Sequence, residues 1–166
     1  MQSQEPEKEA LLQEEVKKIQ LIVFQVGKQE YAVQMVQVKE IVAAASITPV
    51  PLAATFLKGL ANIRGHIMPV IDLAAKFRIV TEGEAVEKAL VLVVESKDYK
   101  IGFWIEKMPS SLAIAESQID TASAIVQAEQ ASSGYLRGIV KVEQRMVILI
   151  DIYALIAQEI EGKIFE

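Results

Sequence analysis

The chain has 166 residues, with 22 Asp and Glu against 17 Lys and Arg, a formal charge of −5 and a pI of about 5.1. That balance argues against a nucleic-acid binder, which needs a dense basic face to displace counterions from phosphates, and leaves a small nucleic-acid-binding barrel as a reading disfavoured by the scarcity of aromatics, 6%. Hydrophobic residues make up 52% and mean hydropathy is +0.30, so the chain as a whole is not disordered.

No apolar run approaches the roughly 18 residues of a membrane helix. The opening Gln, Ser and Glu residues do not read as a signal peptide, and the cytoplasm is the expected address. Cysteine is absent and histidine occurs once, at His66, so disulfides, thiolate nucleophiles and Cys/His zinc sites are excluded. No Gly-rich phosphate loop occurs either. The composition points to a chain that binds and does not react, with no cofactor and no metal.

Residues 1–18 are rich in Glu, Gln and Lys and read as a polar tail or short helix, with Leu11, Leu12, Val16 and Ile19 at a weak helical spacing. From there the texture turns to strands. Leu21–Val26 is apolar and partly β-branched, Gly27-Lys28-Gln29 supplies a turn, and Glu30–Val33 runs back as a hairpin. Val38–Val42 reads as a third strand. Ser46–Thr55, with Pro49 and Pro51, is a connector. Gly59–Ile63 and Ile67–Ile71 flank Arg64-Gly65 as a second hairpin, in which Pro69 implies an edge or a bulge. Asp72 precedes Leu73–Phe77, where it can cap a helical turn.

Thr81–Glu87 is a polar surface loop. Ala89–Glu95 and Tyr99–Ile105 form a third hairpin across Ser96-Lys97-Asp98. Glu116–Ser133 carries little pattern and reads as a surface loop. Tyr135–Val142 and Arg145–Ile150 pair across Glu143-Gln144. Asp151 then opens a closing helix over 152–161, whose apolar face is Ile152, Leu155, Ile156 and Ile160, with Gly162 as its stop.

The chain contains an internal repeat. Phe56-Leu57-Lys58-Gly59-Leu60 matches Tyr135-Leu136-Arg137-Gly138-Ile139, with Gly59 set on Gly138 at an offset of 79. Carried forward without a gap, the offset sets Val70-Ile71-Asp72-Leu73 on Leu149-Ile150-Asp151-Ile152. Both segments end as strand, Asp, helix. Each half is short and apolar, so two small β-barrels packed together would bury a shared core. The expected divisions are a first sub-barrel over 20–85 and a second over 86–152.

The segment from Phe56 to Leu73, FLKGLANIRGHIMPVIDL, resembles the signature of the CheW family, the coupling proteins of bacterial chemosensory arrays. Phe24–Tyr31 resembles that family's first hairpin and Val38–Ile41 its third strand. Tyr135–Gly138 and Arg145–Asp151 resemble its C-terminal end. The resemblance covers about Ile19 to Ile156. It implies a mainly β fold of two intertwined, SH3-like, five-stranded barrels with a C-terminal helix, in one domain over 19–166. It implies no catalysis. The implied partners are the regulatory domain of the histidine kinase CheA and the cytoplasmic tips of methyl-accepting chemoreceptors, with no nucleic acid and no membrane insertion. The protein would be cytoplasmic, bound to receptor arrays, and a paralogue serving pilus-driven motility is the alternative. The chain departs from the family pattern at Tyr31-Ala32, at Pro51-Leu52-Ala53-Ala54 and at Pro109.

The resemblance also points to Val38, Glu40, Gly59, Arg64, Gly65, Leu90 and Met108 as receptor- or kinase-binding positions. Each has a plainer alternative. Val38, Leu90 and Met108 could be core, Gly59 and Gly65 could serve turns or close packing, and Arg64 could be a solvated turn residue. The functional reading pairs Arg64 with Glu40. An enzyme using Asp72, Asp151 or His66 is the reading from another class. The equivalence of the two Asp residues in the repeat, one before each helix, fits capping better.

Overall fold

A computed structural model describes residues 17–43, 46–80, 90–123, 125–128 and 134–157. The expected polar tail up to residue 16, the expected loop over Thr81–Glu87, and Ile160 and Gly162 of the expected closing helix lie outside the described residues. The first hairpin joins β1 (Lys18–Val26) to β2 (Gln29–Gln34). Its turn needs Gly27, whose φ is +63°. A 3-10 turn over Met35–Gln37 delays the third strand, so β3 is Glu40–Ala43 and Val38 precedes it.

The hairpin of β4 (Leu57–Ile63) and β5 (His66–Asp72) leads into α1 (Leu73–Lys76). Next come β6 (Leu90–Glu95), β7 (Lys100–Ile105) and β8 (Ser110–Ala115). Within the stretch expected to loop lie a 3-10 turn over Glu116–Gln118 and the two-residue strand β9 (Ile119–Asp120). The chain closes with β10 (Leu136–Val142), β11 (Arg145–Ile150) and α2 (Ile152–Leu155).

The fold is mainly β, as expected, with two sheets that form the SH3-like barrels. One sheet runs β8-β1-β2-β11-β10-β9 and the other β3-β6-β7-β5-β4. The first therefore has six strands where five were expected, because β9 pairs with β10 at Asp120–Ile139. Pro69 lies in an inner strand and not at an edge. Leu60 turns both its N–H and its C=O to Thr48, so the facing pair Leu60–Pro69 exchanges no hydrogen bonds across β4 and β5. On the other side the parallel ladder to β7 begins only at Val70. Pro69 thus removes no donor from β4.

Register extends the repeat over nearly the whole fold. Val23 faces Ala32 and Ser110, while Val93 faces Gly102 and Glu40. Ala32 lies beside Leu149, and Gly102 beside Val70. The strands β1, β2 and β3 therefore correspond to β6, β7 and β8 at an offset of 70, while β4, β5 and α1 correspond to β10, β11 and α2 at 79.

The barrels do not follow the repeat, however. The hairpin β1–β2 belongs to the first half but lies in the sheet of β8 to β11. The hairpin β6–β7 belongs to the second half but lies in the sheet of β3 to β5. The division at 85/86 marks the repeat and not the barrels. The exchange follows from where hydrogen bonds are left to make: β1–β2 has two open edges, and β8 and β11 fill them.

Two glycines show how far the equivalence reaches. A Cβ at Gly59 would fall on the carbonyl oxygen of Thr48. A Cβ at Gly138 would lie 2.8 Å from the carbonyl oxygen of Asp120. Thr48 bridges Leu60 as Asp120 pairs with Ile139, so each glycine admits the same short crossing strand. The largest core cluster takes Phe24, Phe56 and Ile71 from the first half and Leu92, Phe103, Ile150 and Leu155 from the second.

Candidate functional site

The turn between β4 and β5 positions two of the expected functional residues, Arg64 and Gly65, at the surface. Arg64 and Gly65 both have positive φ, +53° and +83°, as a two-residue type I′ hairpin turn requires. That conformation suits Gly65 and strains Arg64 by about 1 kcal/mol. The turn aims the guanidinium across the sheet at β3. Arg64 Nε donates to both carboxylate oxygens of Glu40, at 2.9 and 3.2 Å. The arginine side chain is 73% exposed and the glutamate 25%, so solvent screens the pair. Its geometry gives this face a fixed pattern of charge more than it stabilises the fold.

Beside it runs a second charged group. Lys39 Nζ donates to Glu95 on β6, and Lys100 on β7 lies 3.9 Å from the other oxygen of that carboxylate. The hydrogen bond to Lys39 holds the Glu95 carboxyl below its ordinary range, and the same bond raises Lys39. His66 adds a smaller electrostatic contribution at Glu95.

The structure brings Glu40, Arg64 and Gly65 together and separates the remaining expected residues. Gly59 is buried under Thr48. Val38 and Leu90 are half-buried against the main core, and Leu90 faces Ala43 at the far end of β3 from Glu40. Met108 is 77% exposed and leads into β8, on the other sheet. By register it is the repeat counterpart of Val38.

Sequence reasoning missed an apolar groove on the six-stranded sheet. It has a volume of about 370 Å³ and is lined by Tyr31, Phe77, Ile125, Tyr135, Ile139 and Ile148, with Lys76 and Arg78 also in its wall. Phe77 stacks between Tyr31 and Tyr135, with ring centroids 5.2 and 6.0 Å away. Burial raises the Tyr31 phenol, and Tyr135 adds to the effect. Ile125, 71% exposed, belongs to the same lining. No single stretch of chain signals this groove, because its walls come from five separate segments.

The carboxylates considered for catalysis are structural. Asp72 accepts from the amides of Ala74 and Ala75 at the start of α1. Asp151 does the same for Tyr153 and Ala154 at α2. They terminate strands of different sheets. Asp151 is further held by Gln37 Nε2 at 2.9 Å and by Arg137. Burial opposes its ionisation, but the hydrogen bonds from Arg137, Gln37 and Ala154 outweigh burial and keep the carboxyl below its ordinary value. Among the described residues no group of three or more His, Cys, Asp or Glu could hold a metal. No helix among them is long and apolar enough to cross a membrane.

Two interlocked SH3-like barrels thus carry a charged turn on one sheet and an apolar groove on the other. The CheW-like domain model matches residues 20–159, and the chain belongs to that family. It is 27% identical over 147 residues to the chemotaxis protein CheW of Thermotoga maritima, covering 89% of this chain and 93% of that one. It is 31% identical over 139 residues to the chemotaxis protein CheW of Bacillus subtilis, covering 84% and 87%. Among solved structures, the scaffolding protein TtCheW from Thermoanaerobacter tengcongensis aligns with a TM-score of 0.68 at 28% identity, over 82% of this chain and 86% of that one.

Proposed function

We propose that this protein couples the cytoplasmic tips of methyl-accepting chemoreceptors to the regulatory domain of the histidine kinase CheA, as a non-enzymatic adaptor in the cytoplasm. The observation that carries this reading is the Arg64–Glu40 pair, presented on an exposed type I′ turn of a CheW-like domain. Glu40, Arg64 and Gly65 form the centre of the coupling surface. Val38, Gly59 and Leu90 hold β3 and β4 beneath it, and Met108 provides an apolar contact on the second sheet. The aromatic groove supplies the further docking face that a bridging protein needs. Its apolar lining suits a partner that buries aliphatic side chains.

The test is charge reversal. Arg64→Glu sets a carboxylate against Glu40 and should weaken receptor-stimulated kinase phosphorylation in a reconstituted array several-fold, because like charges facing at an interface cost more than a lost rim contact. The melting temperature should hardly move, since exposed charges contribute little to stability. Adding Glu40→Arg should recover part of the activity. Arg64→Gly is the structural control. It relieves the positive φ and removes the pair, so it should fold at least as well and still couple poorly. Full coupling by Arg64→Glu would remove this turn from the interface.

A further inference from the structure

We propose that the two halves of this chain, 18–80 and 90–157, are obligate folding partners held together by their exchanged hairpins, so that the covalent join between them is not needed once they have assembled. The inference stands apart from the coupling function. It rests on which strands complete which sheet.

Consider what the first half owns without the second. Its β1–β2 hairpin has no hydrogen-bonded neighbour of its own half, since β1 pairs outward with β8 and β2 with β11. Its β3 pairs only with β6. Its β4–β5 hairpin keeps only the bridge to Thr48, because the other side of β5 faces β7. What remains is two hairpins and one strand without a ladder, and an isolated hairpin is marginal in water.

The second half keeps β9, β10 and β11 as a run of its own but is otherwise left open, since β8 pairs with β1 and the outer side of β11 with β2. Its β6–β7 hairpin is flanked by β3 and β5, both from the first half. The packing repeats the argument. The largest core cluster mixes both halves, and the aromatic stack runs from Phe24, Tyr31 and Phe77 of the first half to Tyr135 of the second. Hydrogen bonds also cross: Gln37 reaches Asp151 and Ile152, and Arg145 clamps Glu30 through two bonds.

Every described strand ladder that joins the halves therefore involves one of the two exchanged hairpins, the arrangement of a swapped dimer made within one chain. The first half ends at Val80, which is 93% exposed, so a cut beyond it starts from the surface. The chain has no cysteine, so no disulfide can hold the pieces.

The experiment uses the full chain with a specific protease site inserted between Val80 and Leu90, cut after folding. Two placements of the site are made, and each uncut protein is melted first to show that the insertion is tolerated. The cut protein should elute from a sizing column at the volume of the uncut one and unfold in a single transition. Its midpoint should rise by about 3–5 °C for each tenfold increase in concentration, while that of the uncut chain stays fixed. After unfolding in urea, the mixed pieces should regain the native β signal on dilution, and neither purified piece should regain it alone. Separation of the pieces on cutting, a midpoint independent of concentration, or the folding of either piece by itself would overturn the proposal.

Discussion

The two halves share a backbone and differ in their charges. Asp72 and Asp151 cap equivalent helices with nearly the same φ and ψ, −93° and 106° against −92° and 106°. Around that common frame the side chains have diverged. Arg137 binds Asp151, but its counterpart Lys58 lies over the Trp104 ring, 3.5 Å from the centroid. The turn residue Arg64 corresponds to Glu143, which keeps the positive φ, +56°, with the opposite charge. Arg145 pairs with Glu30, whereas the equivalent positions hold His66 and Lys100, neither of which is a carboxylate. Backbone geometry was kept because each half completes the sheet of the other. The charge pattern was free to vary because exposed ion pairs contribute little to folding. The coupling surface we propose lies where the halves disagree.

The helices give the largest test of that comparison. Leu155 of α2 and Lys76 of α1 are repeat counterparts, yet Leu155 is fully buried and Lys76 reaches over the Phe56 ring, 5.0 Å from its centroid. Leu155→Ala should cost about 3–4 kcal/mol, because it removes buried methyl groups and leaves a cavity in the shared core. Lys76→Ala should cost under about 1 kcal/mol. Urea midpoints of the two variants give the difference directly. Equal losses would mean that the two helices are equally deep and that the asymmetry assigned to them is wrong.

The capping carboxylates test the next level. Asp151→Asn keeps the cap but gives up the charge that Arg137 and Gln37 hold. With the site partly open to solvent, the cost near pH 7 should be about 1 kcal/mol. Asp72→Asn, where the described hydrogen bonds to the carboxylate are those of the cap alone, should cost less. The pH dependence has a fixed sign. The Asp151 carboxyl lies below its ordinary value in the folded state, so its stabilisation is complete above the unfolded value of about 4 and is lost as pH falls through the folded one. The gap between parent and Asp151→Asn should therefore close below about pH 4. A gap of constant size from pH 7 to pH 3 would show that the charge of Asp151 is not what stabilises α2.

Much of this architecture was legible in the residues. The hairpins around Arg64-Gly65 and Glu143-Gln144, the capping role of Asp72 and Asp151, and the offset of 79 all follow from local pattern, and the structure holds each of them. The pairing of Arg64 with Glu40 came from the family resemblance, and the geometry now gives it an actual contact. The exchange of hairpins was not legible. Leu21–Val26 and Val91–Ser96 share only a largely apolar, half β-branched character, which specifies a strand but not its neighbour. Strand β9 is too short to show periodicity. Val38 looked like the start of a strand because nothing in Met35–Gln37 announces a 3-10 turn. The aromatic groove escaped because Tyr31, Phe77, Ile125 and Tyr135 meet only after both halves have folded.

The smallest expected effect concerns a contact present in one half and missing in the other. Gln37 Nε2 donates to Asp151 at 2.9 Å, and its Oε1 accepts from the Ile152 amide at 3.4 Å. The counterpart of Gln37 is Lys107, which instead donates to Gln25 at 3.1 Å. Beside Asp72 this leaves a small cavity of about 30 Å³, lined by Gln25, Asp72, Leu73, Trp104 and Lys107 among others. The volume suits one polar head group or one water. The chain there bends at 106–107 without forming the 3-10 turn that positions Gln37. Lys107→Gln asks whether the side chain alone restores the clamp. If it does, an amide can donate to Asp72 and accept from Leu73, adding about 0.5–1 kcal/mol and raising the melting temperature by about 1–4 °C. The reverse exchange, Gln37→Lys, should lower it by a similar amount, since an ammonium offers the Ile152 amide no acceptor and sets a second cation beside Arg137 at Asp151. A rise from Lys107→Gln with a fall from Gln37→Lys would show that the clamp is portable between the halves. A fall from Gln37→Lys with no rise from Lys107→Gln would assign the clamp to the 3-10 turn and make backbone, not side chain, the place where the halves diverged first.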